Sequence, residues 1–165
     1  MDLHKLQDLT EEFLRFFAEQ RQINLDDMPQ VNFVMDEKFA NDPFGMTGYY
    51  NPENSEIYAF VPGRHYKDIM RTVAHECIHH VQNLRGDLSE MGDMGEGYAQ
   101  NNQKMREMEK EAYLEGNMLF RDWTDTRKEG YKKKKLMKEN RDLQPTSKSE
   151  VLYKRLLKKW TRHDR

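Results

Sequence analysis

Two histidines four residues apart, His75 and His79, are the side chains in this chain best suited to carry chemistry. In a helix, residues at this spacing lie one turn apart on the same face, so both imidazoles can reach one metal ion. Glu76 directly follows the first histidine, and a carboxylate there can accept a proton from a metal-bound water. The pattern H-E-x-x-H therefore predicts a metal site with a general base beside it.

The helix that must carry this pattern is predicted over Tyr66–Leu84, between the Pro62-Gly63 turn and Gly86. At about 100° per residue, its apolar side chains fall on the face opposite the histidines: Tyr66, Ile69, Val73, Cys77 and Leu84. The histidines are thus expected to face a cleft. The alternative is a chance match on a charged helix, with both histidines simply exposed to solvent.

A catalytic zinc site has three protein ligands and one position left for water. Four downstream glutamates, all in a helix predicted over residues 101–126, are candidates for the third ligand: Glu107, Glu109, Glu111 and Glu115. The apolar residues of that helix lie within about 60° of Glu109 on a helical wheel: Met105, Ala112, Tyr113, Gly116, Phe120 and Trp123. A charge within an apolar stripe is costly unless it is paired or binds a metal. Glu109 is therefore the predicted ligand, with Glu111, or a structural salt bridge of Glu109, as alternatives.

Three further side chains near these motifs have both a structural and a chemical interpretation. Cys77 and His80 lie on or near the packing face of the first helix, which favours a buried thiol and a hydrogen-bonded core histidine over metal ligands. Tyr98 follows a glycine-rich segment, residues 86–97, predicted to be a mobile loop. It is a candidate to stabilise a tetrahedral oxyanion, with an ordinary packing role as the alternative.

The segment His75-Glu76-Cys77-Ile78-His79, followed by Glu109-Lys110-Glu111-Ala112-Tyr113, resembles the gluzincin metallopeptidases. In that group a downstream helix supplies a glutamate ligand in an E-x-x-A or E-x-x-S context. The minimal members found in bacteria and their phages are the most similar, since there the segment often reads E-x-E-A. The resemblance covers roughly residues 30–125 and leaves out the basic tail.

The resemblance implies a zincin-like metallopeptidase that acts on a peptide or protein substrate. Zn²⁺ would bind His75, His79 and Glu109, and Glu76 would act as general base on the zinc-bound water. In the larger gluzincins, Asp or Asn four residues after the ligand glutamate orients a ligand histidine. That position here is Tyr113, so the resemblance leaves the orienting group unassigned.

The predicted fold is α+β and zincin-like: a small, largely antiparallel sheet packed on the H-E-x-x-H helix, with further helices C-terminal to it. Apolar residues at helical spacing predict an N-terminal helix over residues 2–22. Residues 31–35, 47–50 and 57–61 are predicted strands, the last two paired as a hairpin. The resemblance to gluzincins implies that the edge strand of this sheet would hold an extended peptide substrate.

Charge divides the chain into an acidic body and a basic tail. Residues 1–125 hold 12 Lys and Arg against 24 Asp and Glu, whereas residues 126–165 hold 15 against 5. We therefore predict a metallopeptidase domain over residues 1–126 and a basic, helical extension over residues 127–165, with a last helix beginning at Ser147. The tail either docks on the body or binds nucleic acid or an acidic partner. The rival interpretation of the whole chain is a catalytically silent zincin-like module recruited through this tail.

The cysteine count and the lack of long apolar runs limit the class of protein and the cellular compartment that the sequence predicts. A single cysteine excludes an internal disulfide and excludes zinc deaminases, whose pattern needs a downstream C-x-x-C. Residues 1–6 lack the features of a signal peptide, and no apolar run approaches the ~20 residues that span a bilayer. The expectation is a cytoplasmic protein with no membrane partner.

Overall fold

The computed structural model describes residues 2–39, 46–88 and 103–142. These residues form an α+β fold, as predicted. The helices and strands, in chain order, are α1 (Leu3–Arg21), β1 (Gln30–Val34), β2 (Gly48–Asn51), β3 (Glu56–Phe60), α2 (Tyr66–Leu84) and α3 (Gln103–Asp142). Short 3-10 turns lie at Leu25–Asp27 and Glu37–Phe39.

The three strands form one mixed sheet in the order β1-β3-β2. The predicted hairpin is confirmed, since β2 pairs antiparallel with β3. The prediction of a largely antiparallel sheet is wrong, because β1 pairs parallel with β3, with Val31 beside Ile57. A parallel pair needs a long crossover connection, which the chain between Val34 and Glu56 supplies.

The core lies where α1, the sheet, α2 and the first part of α3 meet. Its members are apolar residues at helical spacing on α1 and α2 and at alternate positions on β3: Leu6, Leu9, Phe13, Phe17, Ile57, Ala59, Ile69, Met70, Val73 and Cys77. Phe13 of α1 packs edge-on against Trp123 of α3, with ring centroids 5.4 Å apart. Burial of this face fixes the rotation of α2 and leaves its opposite face to line a cleft.

Helix α2 has the predicted bounds and, with one exception, the predicted packing face. The Cys77 side chain is fully buried, and burial raises the pKa of its thiol. A thiol in such surroundings stays protonated and is a poor ligand and nucleophile. Leu84 was predicted on the packing face but is exposed, because it lies in the last helical turn, after which Gly86 turns the chain with φ 86°.

Helix α3 runs 16 residues beyond its predicted end at Thr126. The added segment consists mostly of Lys, Arg, Glu, Leu and Met, which lose little side-chain freedom in a helix. Ion pairs one turn apart support it, Lys128 with Asp125 and Lys135 with Glu139. These preferences outweigh the low helix propensity of the single Gly130.

The chain divides after Thr124 into two units, Met1–Thr124 and Asp125–Arg165. The first holds the sheet, α1, α2 and the part of α3 that faces them. The described part of the second is helical, and its described side chains are exposed apart from the half-buried Arg127. The predicted helix from Ser147 lies outside the described residues. None of the described helices is long and apolar enough to cross a membrane.

Helices α2 and α3 come closest at Gly116. A Cβ atom there would lie 3.0 Å from both the backbone nitrogen and the Cα of His75, and 3.1 Å from the carbonyl oxygen of Ala74. These distances are below ordinary van der Waals contact, and the neighbours are backbone atoms that cannot rotate away. The helices therefore meet backbone to backbone at the residue that opens the H-E-x-x-H pattern.

Two glycines of α3 give a matched test of this contact. Alanine normally stabilises a helix interior by up to about 1 kcal/mol relative to glycine. We expect Gly130→Ala to follow that rule, because nothing lies within 4 Å of its Cβ position. We expect Gly116→Ala to lower the free energy of unfolding by about 1–3 kcal/mol, because the added methyl overpacks the helix contact. Urea denaturation measures both, and a Gly116→Ala protein as stable as Gly130→Ala would contradict the packing argument.

Candidate metal centre

His75, His79 and Glu109 converge on one point of the cleft between α2 and α3. The two imidazole Nε2 atoms are 3.1 Å apart. The carboxylate of Glu109 lies across both, with one oxygen 3.3 Å from His75 Nε2 and the other 3.3 Å from His79 Nε2. The three residues predicted as ligands are thus brought together, and among the described residues they form a group able to hold a metal ion.

The spacing of these atoms matches the donor shell of zinc. With Zn–N and Zn–O bonds of ~2.0–2.1 Å, neighbouring ligand atoms of a tetrahedral site lie about 3.3–3.4 Å apart. The two imidazole nitrogens, 3.1 Å apart, and each imidazole with its nearer Glu109 oxygen, 3.3 Å apart, are close to that edge length. The two contacts use different oxygens of the carboxylate, and the three ligand atoms lie within 4.8 Å of one another. Two neutral imidazoles and one carboxylate are also a donor set that zinc favours, with the fourth position open to the cleft. The residues present therefore fit the ion that the sequence predicts.

Glu109 does not lie in the middle of the apolar stripe of α3, as the sequence analysis placed it. Its side chain is 52% exposed, and Tyr113, which was also assigned to the stripe, is 71% exposed. The buried face is instead centred near Ala112, about 60° around the helix. Met108 and Leu119 are buried on that side of α3, and their packing accounts for this rotation. It leaves Glu109 at the border of the buried face, where its carboxylate reaches the histidines from the cleft.

The other three candidate glutamates have partners elsewhere. Arg85 binds both carboxylate oxygens of Glu111 at 2.8 Å, and Glu115 forms an ion pair with Arg21 of α1. Glu107 is exposed and accepts a hydrogen bond from Gln103. Glu111, the alternative third ligand, is therefore held by Arg85 and Gln82 and does not reach the histidines as Glu109 does.

Sequence reasoning missed Gln82, which contacts a predicted ligand directly. Its side-chain oxygen lies 2.8 Å from His79 Nδ1, and the residue is fully buried. The signal was present in the sequence. Gln82 follows His79 by three residues, a spacing that puts the two side chains side by side on a helix.

Glu76 lies in the floor of the cleft with its side chain almost entirely buried. Burial raises the pKa of its carboxyl above the usual range. The imidazoles of His79 and His75 and a hydrogen bond from the backbone of Tyr50 oppose that shift without cancelling it. A carboxylate desolvated in this way is a stronger base than one in water, as a proton-accepting residue requires.

The charges of the three convergent residues are coupled. Hydrogen bonds from His75 and His79 hold the pKa of Glu109 below its usual range. Burial acts to lower the pKa of His79, but the hydrogen bond to Glu109, the charge of Glu76 and the contact with Gln82 together raise it. Without a metal ion, the carboxylate of Glu109 therefore favours positive charge on His79. A divalent cation would supply that charge instead.

Strand β2 is fixed to α2 through His80. Its Nε2–H donates to the carbonyl oxygen of Asp27 at 2.7 Å, and its Nδ1 accepts from the Tyr50 hydroxyl at 2.9 Å. Asn83 donates to the same hydroxyl at 3.0 Å. Burial lowers the pKa of His80, so the ring is a neutral, fully bonded core histidine, as predicted. Through this contact Tyr50 is held where its backbone reaches Glu76.

The cleft around these residues has a volume of about 1040 Å³. One wall is the edge strand β2 with the residues just before it, and the others are the histidine face of α2 and the Glu109 face of α3. Gly48 allows β2 to lie this close, because a Cβ there would be 2.5 Å from Thr72 Cγ2. The candidate oxyanion residue Tyr98 and most of the predicted glycine-rich loop lie outside the described residues.

Comparisons with protein-family models, with curated protein sequences and with solved structures gave no match. The function of this chain is therefore inferred from the geometry of its own residues.

Metal content tests the convergent group directly. We expect about one zinc per chain in the wild-type protein, because the ligand atoms already have tetrahedral spacing. Glu109→Ala should lose most of that zinc, whereas Lys110→Ala, an exposed neighbour on the same turn, should keep it. Elemental mass spectrometry after reconstitution and desalting gives the stoichiometry. Full zinc content in Glu109→Ala would remove Glu109 from the ligand set.

Proposed function

We propose that this protein is a zinc-dependent metallopeptidase with a zincin-like active site of the gluzincin type. The observation that supports this most strongly is the meeting of His75, His79 and Glu109 at zinc-ligand spacing, with the buried carboxylate of Glu76 in the same cleft. Peptide hydrolysis by such a site needs three ligands, a general base and an open side for substrate. The cleft offers each of these.

His75, His79 and Glu109 would hold the ion, and its chemistry when bound is to lower the pKa of water and to polarise a carbonyl group. Glu76 accepts the proton of the attacking water and then donates it to the leaving amine. Its burial suits both steps, because a desolvated carboxyl takes up a proton more readily than one in water. The hydrogen bond from the Tyr50 backbone keeps this carboxylate oriented between the steps.

A purely structural metal site fits the arrangement less well. Structural zinc sites are closed by four protein ligands and have no use for a base. Within the part of the chain that the structure describes, the convergent group has three members, and its Glu109 side is half-exposed to a large cleft. An ionisable carboxyl such as Glu76 is also expensive to bury, which favours a role in chemistry over one in stability.

An extended peptide is the substrate shape that the cleft favours. Among the described residues, β2 pairs only with β3, so its other edge presents backbone donors and acceptors toward the cleft. A substrate strand can add to such an edge by main-chain hydrogen bonds. Tyr49, stacked on Tyr58 with ring centroids 4.8 Å apart, lines the same wall and offers an aromatic surface to substrate side chains.

The catalytic role of Glu76 separates this proposal from a silent metal-binding module. We expect Glu76→Gln to keep about one zinc per chain and to lose at least about 100-fold in kcat, because the amide cannot accept the proton. Glu107→Gln, the same change at an exposed position of α3, should behave as wild type. A fluorogenic peptide library with zinc-loaded protein measures both. Hydrolysis by Glu76→Gln at the wild-type rate would overturn the assignment of the base.

Failure to cleave any substrate would favour the alternative function, a catalytically silent module recruited through its basic tail. If the zinc-loaded wild-type protein cleaves no peptide in the library and no denatured protein, the proposal of a peptidase fails while the metal site stands. Salt-sensitive retention on immobilised DNA would then identify the basic tail as the active part of the chain.

A further inference from the structure

Gln82 is a fully buried residue whose hydrogen-bond partners fix the orientation of its side-chain amide. Its side-chain nitrogen lies 2.9 Å from the carbonyl oxygen of Met108 and 2.9 Å from a carboxylate oxygen of Glu111. Both partners can only accept. The NH₂ group must therefore face them, since a flipped amide would put its oxygen against two oxygens. The side-chain oxygen is then left facing His79, at 2.8 Å from Nδ1.

This orientation decides which nitrogen of neutral His79 carries the proton. The side-chain oxygen of Gln82 and the carboxylate of Glu109 are both acceptors, but the first lies 2.8 Å from Nδ1 and the second 3.3 Å from Nε2. Nε2 can also accept from His75 Nε2–H at 3.1 Å, so the single proton of neutral His79 belongs on Nδ1. The lone pair is then on Nε2, the atom that faces His75 and Glu109. A metal-binding imidazole needs this tautomer, with the outer nitrogen protonated and hydrogen-bonded.

Helix α3 holds the amide in place. Arg85 binds both oxygens of Glu111, and Arg85 itself is tied to Asp87. Glu111 and the Met108 carbonyl then fix the two N–H groups of Gln82. Because Met108, Glu109 and Glu111 belong to one turn of α3, the turn that supplies the third candidate ligand also orients the second.

We infer that Gln82 is the positioning residue of the metal site. The chain Arg85–Glu111–Gln82–His79 sets the tautomer and ring orientation of His79 for metal binding. Tyr113, where larger gluzincins place the orienting group, is exposed and has no bond to either histidine among the described residues. This inference rests on the proposed function for the identity of the metal, whereas the tautomer follows from the hydrogen bonds alone.

The tautomer can be measured without any metal. Long-range ¹H–¹⁵N NMR of the metal-free protein, at a pH where the ring is neutral, reports which nitrogen bears the proton. The His79 signals are identified by their loss in His79→Gln. We expect the Nδ1–H form of His79 in wild type and a shift toward Nε2–H in Gln82→Met, which removes the acceptor. A wild-type His79 in the Nε2–H form would overturn the inference.

Zinc affinity, measured by competition with a chromophoric chelator, gives the second readout. Loss of a partner that orients a ligand histidine typically weakens metal binding by about 10–100-fold, and we expect this of Gln82→Met. Gln103→Met removes an amide bonded to a glutamate in the same way, but at an exposed site, and should leave the affinity unchanged. Wild-type affinity and tautomer in a folded Gln82→Met protein would also overturn the inference.

A swap of the two polar groups distinguishes positioning from general packing. Gln82→Glu alone puts two carboxylates side by side and should weaken zinc binding. In the double variant Gln82→Glu/Glu111→Gln, the amide now at position 111 donates to the carboxylate now at position 82. That carboxylate again accepts from His79 Nδ1, and the amide oxygen at position 111 remains an acceptor for Arg85. We expect the double variant to recover part of the affinity lost in Gln82→Glu, because the Met108 carbonyl still lacks its donor. No recovery in a folded double variant would contradict the chain. If wild type binds no zinc, the proposed function fails and the tautomer measurement alone decides this inference.

Discussion

The close approach of α2 and α3 is the constraint on which the candidate site depends. At Gly116 the backbone of one helix lies directly on the backbone of the other at His75, with no side chain between them. A glutamate side chain is short, so it can share a metal with two histidines of a neighbouring helix only if the helix axes are near one another. The glycine thus allows the short distance between the helices that brings Glu109 within reach of the histidines.

Polar contacts make this packing specific. Gln82, Glu111 and Arg85 join the same two helices just beyond the histidines, and Arg21 of α1 binds Glu115 one turn further along α3. Helix packing through small residues tolerates sliding and rotation, whereas buried polar groups have only one arrangement that satisfies them. Apolar contact brings the helices together, and the polar bonds select the register in which the ligand atoms meet.

The sequence predicted most of what depends on local spacing. The bounds of α2, the β2–β3 hairpin and the burial of Cys77 and His80 follow from helical phase and turn residues, and all are present in the structure. Partner choice between distant segments was harder to predict. The parallel pairing of β1 with β3 depends on how a long connection returns, and local patterns carry no record of that.

Within the site, too, local patterns predicted contacts between distant segments poorly, as Glu109 and Gln82 show. Helical phase selected Glu109 among four glutamates, but for a partly mistaken reason, since the wheel placed the centre of the buried face about 60° away from its true position. The wheel counted Tyr113, which is exposed, and left out Met108 and Leu119, which are buried on the far side of Ala112 from Glu109. Gln82 was not predicted as a site residue, because an amide carries no charge and belongs to no metal-site motif. Its position three residues after His79 nevertheless places the two side chains in contact.

The placement of Cys77 has a consequence for handling the protein. The thiol lies midway between the two histidines in sequence, yet the helix turns it into the core, where it is fully buried and its pKa is raised. Oxidants and alkylating reagents that inactivate cysteine-ligated zinc proteins therefore have no target here while the chain is folded. Since this is the only cysteine in the chain, its modification by a thiol reagent records opening of the core. The protein contains its own reporter of unfolding, placed between the two residues on which its chemistry would depend.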